Sequence, residues 1–302
     1  MKNPVIQIDD LNFGFTPKKQ ILKNVSLAVP EGSIYGFIGA NGAGKSTTMR
    51  AILGVYPEVS HSVKIFGEGI RSAYPVAFSR MGTLIDYPAF YDHLSGRDNL
   101  LALATLRELP VENIRQALEA VGMWDARNIK MKRYSLGMKQ RLAIAMALLG
   151  NPELLILDEP VNGLDPNGMV EIRELLVELN KQRGTTIFIS SHLLQELEKM
   201  VSHIAILSEG EIMFQGSKTD LQAKYGFNKV EIQLEEAAAY ISLIDKKYNP
   251  VLINENTLTV DASGRQDLPA INRTLVENGA SVYRLAPVDG FEKWFREITK
   301  KN

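Results

Sequence analysis

The stretch GANGAGKST, residues 39–47, constrains the fold more than any other part of the chain. It follows the apolar run SIYGFI (33–38) and leads into STTMRAILGV (46–55), whose apolar spacing is typical of a helix. A strand that enters a glycine-rich turn and continues into a helix is typical of a parallel α/β sheet. The spacing also fits G-x-x-x-x-G-K-[ST], a turn whose backbone N–H groups and helix N-terminus bind phosphate.

The residues of this turn, the phosphate loop, predict a nucleotide site. Its three glycines permit the tight backbone path that brings N–H groups close to phosphate oxygens. Lys45 is expected to reach the β- and γ-phosphates, Ser46 to bind Mg²⁺, and Thr47 to contact the α-phosphate side. The predicted ATP-contacting residues of the turn are Gly39, Asn41, Gly42, Ala43, Gly44, Lys45, Ser46 and Thr47.

A second apolar run, LLILDEP (154–160), ends in two acids. An almost wholly aliphatic strand is typical of a parallel sheet that is covered on both faces. Ligands bind beyond the carboxyl ends of such strands. We therefore expect Asp158 to hold Mg²⁺ through water, and Glu159 to orient the attacking water or to accept its proton.

Composition excludes several classes of protein. The 302 residues are 45% hydrophobic and 23% charged, which is typical of a globular chain with a sizeable core. The net charge of −1 gives no indication of a nucleic-acid partner. The chain contains no cysteine, which excludes disulfides and thiolate metal sites. The N-terminus MKNPVIQIDD lacks the apolar run of a signal peptide, and no segment approaches the ~20 apolar residues of a membrane span.

The rest of the chain alternates between recognisable patterns. A helical region is predicted over about 88–150, with Ser95 and Asp98 resembling a capping box and further helices at 111–123 and 138–150. Strands and helices then alternate up to a predicted hairpin at 204–216. After a boundary near 220, the pattern predicts strands at 229–234, 250–253, 257–261 and 281–286, with helices at 236–246, 267–278 and 291–299.

Three further motifs carry a resemblance to a known family. RYSLGMKQRLAIAMALL (133–149) resembles the signature segment of ATP-binding cassette (ABC) ATPases, commonly LSGGQ followed by Q-R. NGLDP (162–166) resembles the D-loop of that family, and ISSHLLQELE (189–198) its switch-histidine segment. The order and spacing agree over residues 5–216. The implied fold is a P-loop NTPase core of class α/β with an antiparallel β subdomain and a helical subdomain, over residues 1–220. A small α+β accessory domain would occupy residues 221–302.

In this family two cassettes pair head to tail, and the signature of one covers the nucleotide bound by the other. The resemblance implies that Ser135 donates a hydrogen bond to the γ-phosphate and that Gly137 lets backbone N–H groups approach it. Asp165 would contribute from the D-loop. His192 would sense the γ-phosphate and help to place the water that Glu159 activates. The implied partner is a second copy of the chain or a paralogous ATPase.

The motifs depart from the family pattern at two places. Tyr134, Leu136 and Met138 stand where the common signature has Leu, Gly and Gln, whereas the serine and the second glycine are kept. YSLGMKQRL is similar to signatures in exporters of the antibiotic- and peptide-resistance type, including bacitracin exporters. The glutamine that usually binds Mg²⁺ would fall in MGTLIDYPAFYDHLS (81–95), where Asp86 stands. An acid can also bind Mg²⁺, so Asp86 is a predicted metal ligand.

An aromatic ring upstream of the phosphate loop stacks on adenine in relatives. LNFGFTPKKQIL offers Phe13 and Phe15, and the distance from Leu22 favours Phe15. Strand alternation would place both rings on the same face, so two neighbouring surface aromatics remain the alternative.

The resemblance implies the ATP-hydrolysing subunit of an exporter, held at the cytoplasmic face of the membrane by a separately encoded membrane subunit. The apolar stretch DYPAFYDHL (86–94) would receive that subunit. The alternative is a non-transport ABC ATPase that acts on another macromolecule, such as a ribosome factor or a DNA-repair ATPase. An importer ATPase fits less well, because importers generally keep the glutamine. The cargo is not readable from this sequence.

Overall fold

A computed structural model describes residues 4–16, 19–86, 89–225, 230–262, 266–287 and 291–299. These residues fold into two compact units, Met1–Gln215 and Gly216–Asn302. The boundary expected from the sequence, near residue 220, lies a few residues further along the chain.

The first unit contains the nucleotide motifs. Its strands are β1 (Pro4–Thr16), β2 (Lys19–Pro30), β3 (Ile34–Gly39), β4 (Val63–Ile65), β5 (Glu68–Gly69), β6 (Met81–Leu84), β7 (Leu154–Asp158), β8 (Thr186–Ser190), β9 (His203–Ser208) and β10 (Glu211–Ser217). Its helices are α1 (Lys45–Ile52), α2 (Ile70–Ala73), α3 (Val76–Ser79), α4 (Gly96–Leu106), α5 (Glu112–Ala120), α6 (Leu136–Leu148), α7 (Pro166–Arg183) and α8 (Leu194–Glu198). Short 3-10 helices lie at Pro57–Ser62 and Met131–Arg133.

The central sheet has the strand order β10-β9-β3-β8-β7-β6. The pairings from β9 to β6 are all parallel. Strands β3 and β8 are buried along their whole length, which accounts for their aliphatic sequences. Because parallel strands end at one edge, the phosphate loop after β3 and the acids that end β7 lie at the same edge, on either side of β8.

A second sheet, of order β2-β1-β4-β5, is antiparallel at each pairing, which confirms the expected antiparallel subdomain. The alternation in VIQID (5–9) predicts a short strand there, and strand β1 is longer than this run. Its pairing with β2 shifts register between Ile8 and Leu11, and Asp10 has a left-handed φ of 52°. This bulge interrupts the alternation without ending the strand, so the sequence pattern indicates too early a stop.

Helices α4, α5 and α6 form the expected helical segment between β6 and β7. The predicted cap is confirmed, because the Ser95 hydroxyl accepts a hydrogen bond from the backbone N–H of Asp98 at 3.1 Å. Helix α6 begins two residues before the predicted position 138. The reason is Ser135, whose side chain accepts from the backbone N–H of Met138 at 3.2 Å and caps the helix.

The second unit has its own core. It comprises α9 (Lys218–Tyr225), β11 (Val230–Leu234), α10 (Ala237–Tyr240), β12 (Val251–Asn254), β13 (Thr257–Val260), α11 (Leu268–Glu277), β14 (Val282–Pro287) and α12 (Phe291–Thr299). Its sheet has the order β12-β13-β11-β14, with antiparallel pairs. Alternating buried residues of β11 and β13 meet apolar residues of α11 in this core. Residue 229, predicted to begin β11, lies outside the described residues.

The prediction of one helix over 236–246 is wrong. Helix α10 is followed by 3-10 turns at Ile241–Leu243 and Lys246–Tyr248, with Ile244 extended between them. The Asp245 carboxylate accepts a hydrogen bond from the backbone N–H of Lys247 at 3.0 Å. Such a local side-chain bond competes with helical hydrogen bonding, which explains the interruption.

Over the described ranges, no helix is long and apolar enough to span a bilayer.

Candidate nucleotide and catalytic site

The phosphate loop has the backbone path that its glycines predict. Gly42 and Gly44 have φ values of 80° and 111°, in the left-handed region. A Cβ on Gly39 would lie 2.6 Å from the carbonyl oxygen of Leu207, so only glycine fits where β3 meets the loop. Asn41 is exposed and Ala43 is buried. The loop therefore leads into α1 with the backbone N–H groups of its first turn free of helical partners.

Lys45 lies inside this loop. Its ammonium donates hydrogen bonds to the carbonyl oxygens of Gly39 at 2.7 Å and Ala40 at 3.3 Å. The side chain is buried, and this burial lowers the pKa of Lys45, while Glu159 and Asp158 oppose that shift. A shielded ammonium held by neutral carbonyls is suited to bind an anion, as the phosphate-loop lysine requires.

Ser46 and Asp158 meet across the sheet edge. The Ser46 hydroxyl donates to Asp158 Oδ2 at 2.5 Å, and Ser190 Oγ donates to the other carboxylate oxygen. Thr47, the next residue of α1, is half-buried. Two hard oxygen ligands side by side, next to a phosphate loop, fit a Mg²⁺ ion that completes its shell with phosphate oxygens and water.

Ser190 is a site residue that the sequence analysis missed. It pairs with Asp158 in the β7–β8 register, and its side chain is fully buried. Its Oγ also accepts from the backbone N–H of Glu159 at 3.1 Å. The available signal was the polar pair that ends an otherwise aliphatic strand, two residues before His192.

Glu159 and His192 form a pair. His192 Nδ1 lies 2.7 Å from Glu159 Oε2, and the His192 backbone N–H donates to the same oxygen at 3.2 Å. Glu159 has a left-handed φ of 50°, held by its N–H bonds to Ser190. This backbone geometry turns the carboxylate from the strand end towards the histidine. The structure thus brings together the carboxylate and the imidazole that the sequence analysis named as catalytic.

Asp86 has a partner that the sequence analysis did not foresee. Both of its carboxylate oxygens bond the same Arg50 nitrogen, at 2.8 and 2.7 Å. Arg50 lies one helical turn after Ser46, in the last turn of α1, so the ion pair holds Asp86 against this helix. Asp86 also has a left-handed φ of 63°. Its role as a Mg²⁺ ligand remains a prediction.

The aromatic candidates differ in environment. The Phe13 ring is buried and stacks on Tyr56 with 4.1 Å between ring centroids, whereas the Phe15 side chain is 63% exposed. A Cβ on Gly44 would lie 2.6 Å from the side chain of Leu22, and Leu22 pairs with Phe13 across β1 and β2. These contacts place the end of the β1–β2 pair beside the phosphate loop. The Phe15 ring stands nearly perpendicular to the rings of Phe13 and Tyr56, with centroid distances of 5.1 and 6.1 Å.

The signature and D-loop residues occupy a different surface. Ser135 and Asp165 are exposed helix caps, which accept from the backbone N–H groups of Met138 and Gly168, respectively. Gly137 is half-buried in the first turn of α6. Among the described residues, no side-chain hydrogen bond joins these three to the phosphate loop of the same chain.

A buried glutamine ties α6 to the turn after the acids. Gln140 Nε2 donates to the carbonyl oxygen of Pro160 at 2.7 Å, and its side chain is shielded from solvent. Gln140 belongs to the Q-R pair that follows the signature, and the sequence predicts no role for it. Its contact fixes the signature helix relative to Glu159, one residue before that carbonyl.

Comparison with known proteins identifies the family of this chain. Residues 22–162 match the family model of the ABC transporter. The chain is 37% identical over 298 residues to the bacitracin transport ATP-binding protein BcrA of Bacillus licheniformis, covering 97% of each protein. It is 41% identical over 198 residues to the lantibiotic transport ATP-binding protein SrtF of Streptococcus pyogenes, covering 66% of this chain and 85% of that protein.

Solved structures are also similar. One, described as the ATP binding subunit of an ABC transporter, superposes with a TM-score of 0.66 at 28% identity, over 74% of this chain and 93% of that chain. The cbiO1 protein of Clostridium perfringens, part of the ABC transporter complex cbiONQ, gives 0.65 at 27% identity with the same coverage. The chain belongs to the ABC transporter family, as an ATP-binding and ATP-hydrolysing subunit. The resemblance inferred from the signature, and the fold class, are confirmed.

Proposed function

We propose that this chain powers the export of peptide antibiotics through a separately encoded membrane subunit, at the cytoplasmic face of the membrane. The observation that carries the proposal is the likeness to the bacitracin transport protein over 97% of both chains. That likeness extends past the ATPase core into the second unit. The lantibiotic relative adds a second peptide antibiotic to the names of similar proteins.

Hydrolysis at this site follows from the two acids and the histidine. Glu159 is the general base that orients the attacking water, and His192, 2.7 Å from it, places that water beside the γ-phosphate. Lys45 neutralises charge on the β- and γ-phosphates. Mg²⁺, held by Ser46 and Asp158 with Asp86 as a further ligand, would neutralise charge that develops on the phosphate oxygens. Phe15 stacks on adenine.

The site is completed by a second cassette. Ser135 and Asp165 are exposed caps at the starts of α6 and α7, and the half-buried Gly137 lies in the first turn of α6. A head-to-tail partner would bring its nucleotide to these groups. A helix N-terminus capped by serine offers backbone N–H groups to the γ-phosphate. The partner is a second copy of the chain or a paralogous ATPase, and closure around ATP drives the membrane subunit.

The segment 86–94 is the proposed contact for the membrane subunit. Tyr91 is 56% exposed, and Phe90 is half-buried. Tyr87 and Pro88, in the same stretch, lie outside the described residues. Exposed aromatic side chains on a polar surface suit an interface with another protein.

The substitution Glu159→Gln in the source cell tests the proposed function. The amide keeps the size of the side chain but cannot act as a base, so export should stop. We expect cells that carry the variant to become more sensitive to bacitracin and to lantibiotics, and equally sensitive to antibiotics of unrelated chemistry. Growth inhibition across a concentration series gives the measurement.

The matched control is the same chromosomal replacement with the native codon restored. Affinity purification of the native chain from membranes should also yield a multi-span membrane protein, and peptide antibiotics should stimulate ATP hydrolysis by that complex. Unchanged sensitivity to every peptide antibiotic tested would contradict the proposed cargo. If no membrane protein co-purifies with the chain, the non-transport alternative is favoured.

A further inference from the structure

Leu136 differs from the common signature and places a large apolar side chain at the exposed start of α6. It stands where that signature has glycine, directly after the capping residue Ser135. Its side chain is 55% exposed. Exposure of an apolar side chain to water is unfavourable, so the role of Leu136 is sought in its contacts with the protein.

The neighbour of Leu136 is Gly163, in the D-loop. A Cβ built on Gly163 would lie 2.8 Å from Leu136 Cδ2 and 3.1 Å from its Cγ, so the leucine packs directly on the glycine backbone. Gly163 has a left-handed φ of 80°, a conformation that other residues rarely adopt. The next residues make a similar leucine–glycine contact, because a Cβ on Gly137 would lie 3.6 Å from Leu164 Cδ2.

Further contacts continue along α6. Gln140 binds the carbonyl oxygen of Pro160, and Arg141 forms a 2.7 Å ion pair with Glu171 of α7. One row of contacts within the same chain thus joins α6 to the segment that carries the D-loop. Leu136 is the exposed end of that row and the point nearest to Ser135.

We propose that Leu136 is a positioning residue that locks the D-loop to the signature serine within one chain. Glycine at 136 would leave Gly163 uncovered and free to change its backbone conformation. The isobutyl group fills that space and restricts it. Ser135 and Asp165 therefore approach the partner as one rigid surface, and less ordering is required when two chains close over ATP. This inference rests on the proposed head-to-tail dimer.

The test measures ATP-driven dimerisation in the Glu159→Gln background, in which we expect the closed dimer to persist because the proposed base is absent. Sedimentation across an ATP series gives the ATP concentration at half dimerisation for four variants: Leu136→Ala, Leu136→Met, Gly163→Ala and the double variant Leu136→Ala/Gly163→Ala. Leu106→Ala is the matched control, because Leu106 is an exposed leucine, at 82%, at the end of α4. Unfolding temperatures show that each variant is folded.

We expect Leu136→Ala to raise the ATP concentration at half dimerisation about tenfold, because the contact that orders the D-loop is lost. Leu136→Met keeps an apolar chain of similar volume and should stay within about twofold of the parent. Gly163→Ala should weaken dimerisation strongly, but less so when Leu136 is already alanine, because the overlap at 2.8 Å is then removed.

The possible outcomes separate the two proposals. A parent that stays monomeric at saturating ATP overturns the proposed dimer and this inference with it. A parent that dimerises while Leu136→Ala behaves like Leu106→Ala overturns the inference alone. Equal effects of Gly163→Ala in both backgrounds would also overturn it, because direct contact of Leu136 with the partner would leave the two changes independent.

Discussion

Ser190 connects the two acids of the nucleotide site. Its hydroxyl bonds to the Asp158 carboxylate and accepts from the N–H of Glu159. Because the side chain is fully buried, the bonds are not exchanged for bonds to water. One small side chain on a neighbouring strand therefore orients both the proposed metal ligand and the proposed base. The only sign of it in the sequence is the polar pair that ends the apolar run of β8.

The ion pair between Arg50 and Asp86 leads to the first residue-scale prediction. If Asp86 is a Mg²⁺ ligand, Asp86→Ala should raise the Mg²⁺ concentration for half-maximal ATP hydrolysis about tenfold, because a charged oxygen is lost. ATP hydrolysis measured across a Mg²⁺ series checks this.

Arg50→Ala is the control for that experiment, since it breaks the same ion pair and keeps the carboxylate. Equal Mg²⁺ requirements for Asp86→Ala and the native chain would show that Asp86 is only the partner of Arg50. A shift of the same size in both variants would assign the effect to the ion pair.

At the scale of elements, α7 and α8 are joined by one carboxylate. Glu196 of α8 bonds Arg173 of α7 at 2.5 Å and Lys199 at 2.6 Å, and its side chain is 21% exposed. The hydrogen bond from Lys199, and then that from Arg173, lower the pKa of Glu196 against the cost of its burial. The ion pair between Arg173 and Glu196 fixes α8, the helix that follows His192, against α7.

Glu196→Gln should lower the free energy of unfolding by ~1 kcal/mol at neutral pH. A folded pKa below the unfolded value stabilises the fold above the unfolded pKa, near 4.5, and this contribution is lost as pH falls through the folded pKa. The difference between variant and native chain should therefore vanish in acid. Denaturant unfolding between pH 3 and pH 7 measures it, and a constant difference would contradict the assignment.

Element boundaries were predictable where a local cap sets them. Ser95 opens α4 as expected, because a serine with an acid three residues later is a local signal. The end of β1 and the interrupted segment after α10 were not predictable. The first depends on pairing with β2 across a bulge, and the second on competition between Asp245 and helical bonds, which alternation and periodicity do not report.

For the whole molecule, the main prediction concerns concentration. The proposed site is divided between two chains, so ATP turnover per chain should fall as the purified subunit is diluted through its dimerisation range. Ser135→Ala should reduce turnover about tenfold or more at every concentration, because the proposed donor to the γ-phosphate is removed.

The control is the native chain kept at one high concentration, and its turnover per chain is compared with that of each diluted sample. Turnover per chain that is independent of concentration and unaffected by Ser135→Ala would contradict the divided site. Nucleotide binding by the diluted chain should persist in either case, because Lys45 and the phosphate loop lie within one chain.

The sequence by itself determined the phosphate loop, the acids after β7 and the class of the fold. Each is written in consecutive residues, as glycine spacing, an aliphatic run or a cap, because local backbone geometry requires those residue types. Only the tertiary structure decided that Ser190 joins the two acids, that Arg50 holds Asp86, and that Leu136 covers Gly163. These contacts join elements far apart in the chain, and side-chain packing between elements has no periodic signal in a single sequence.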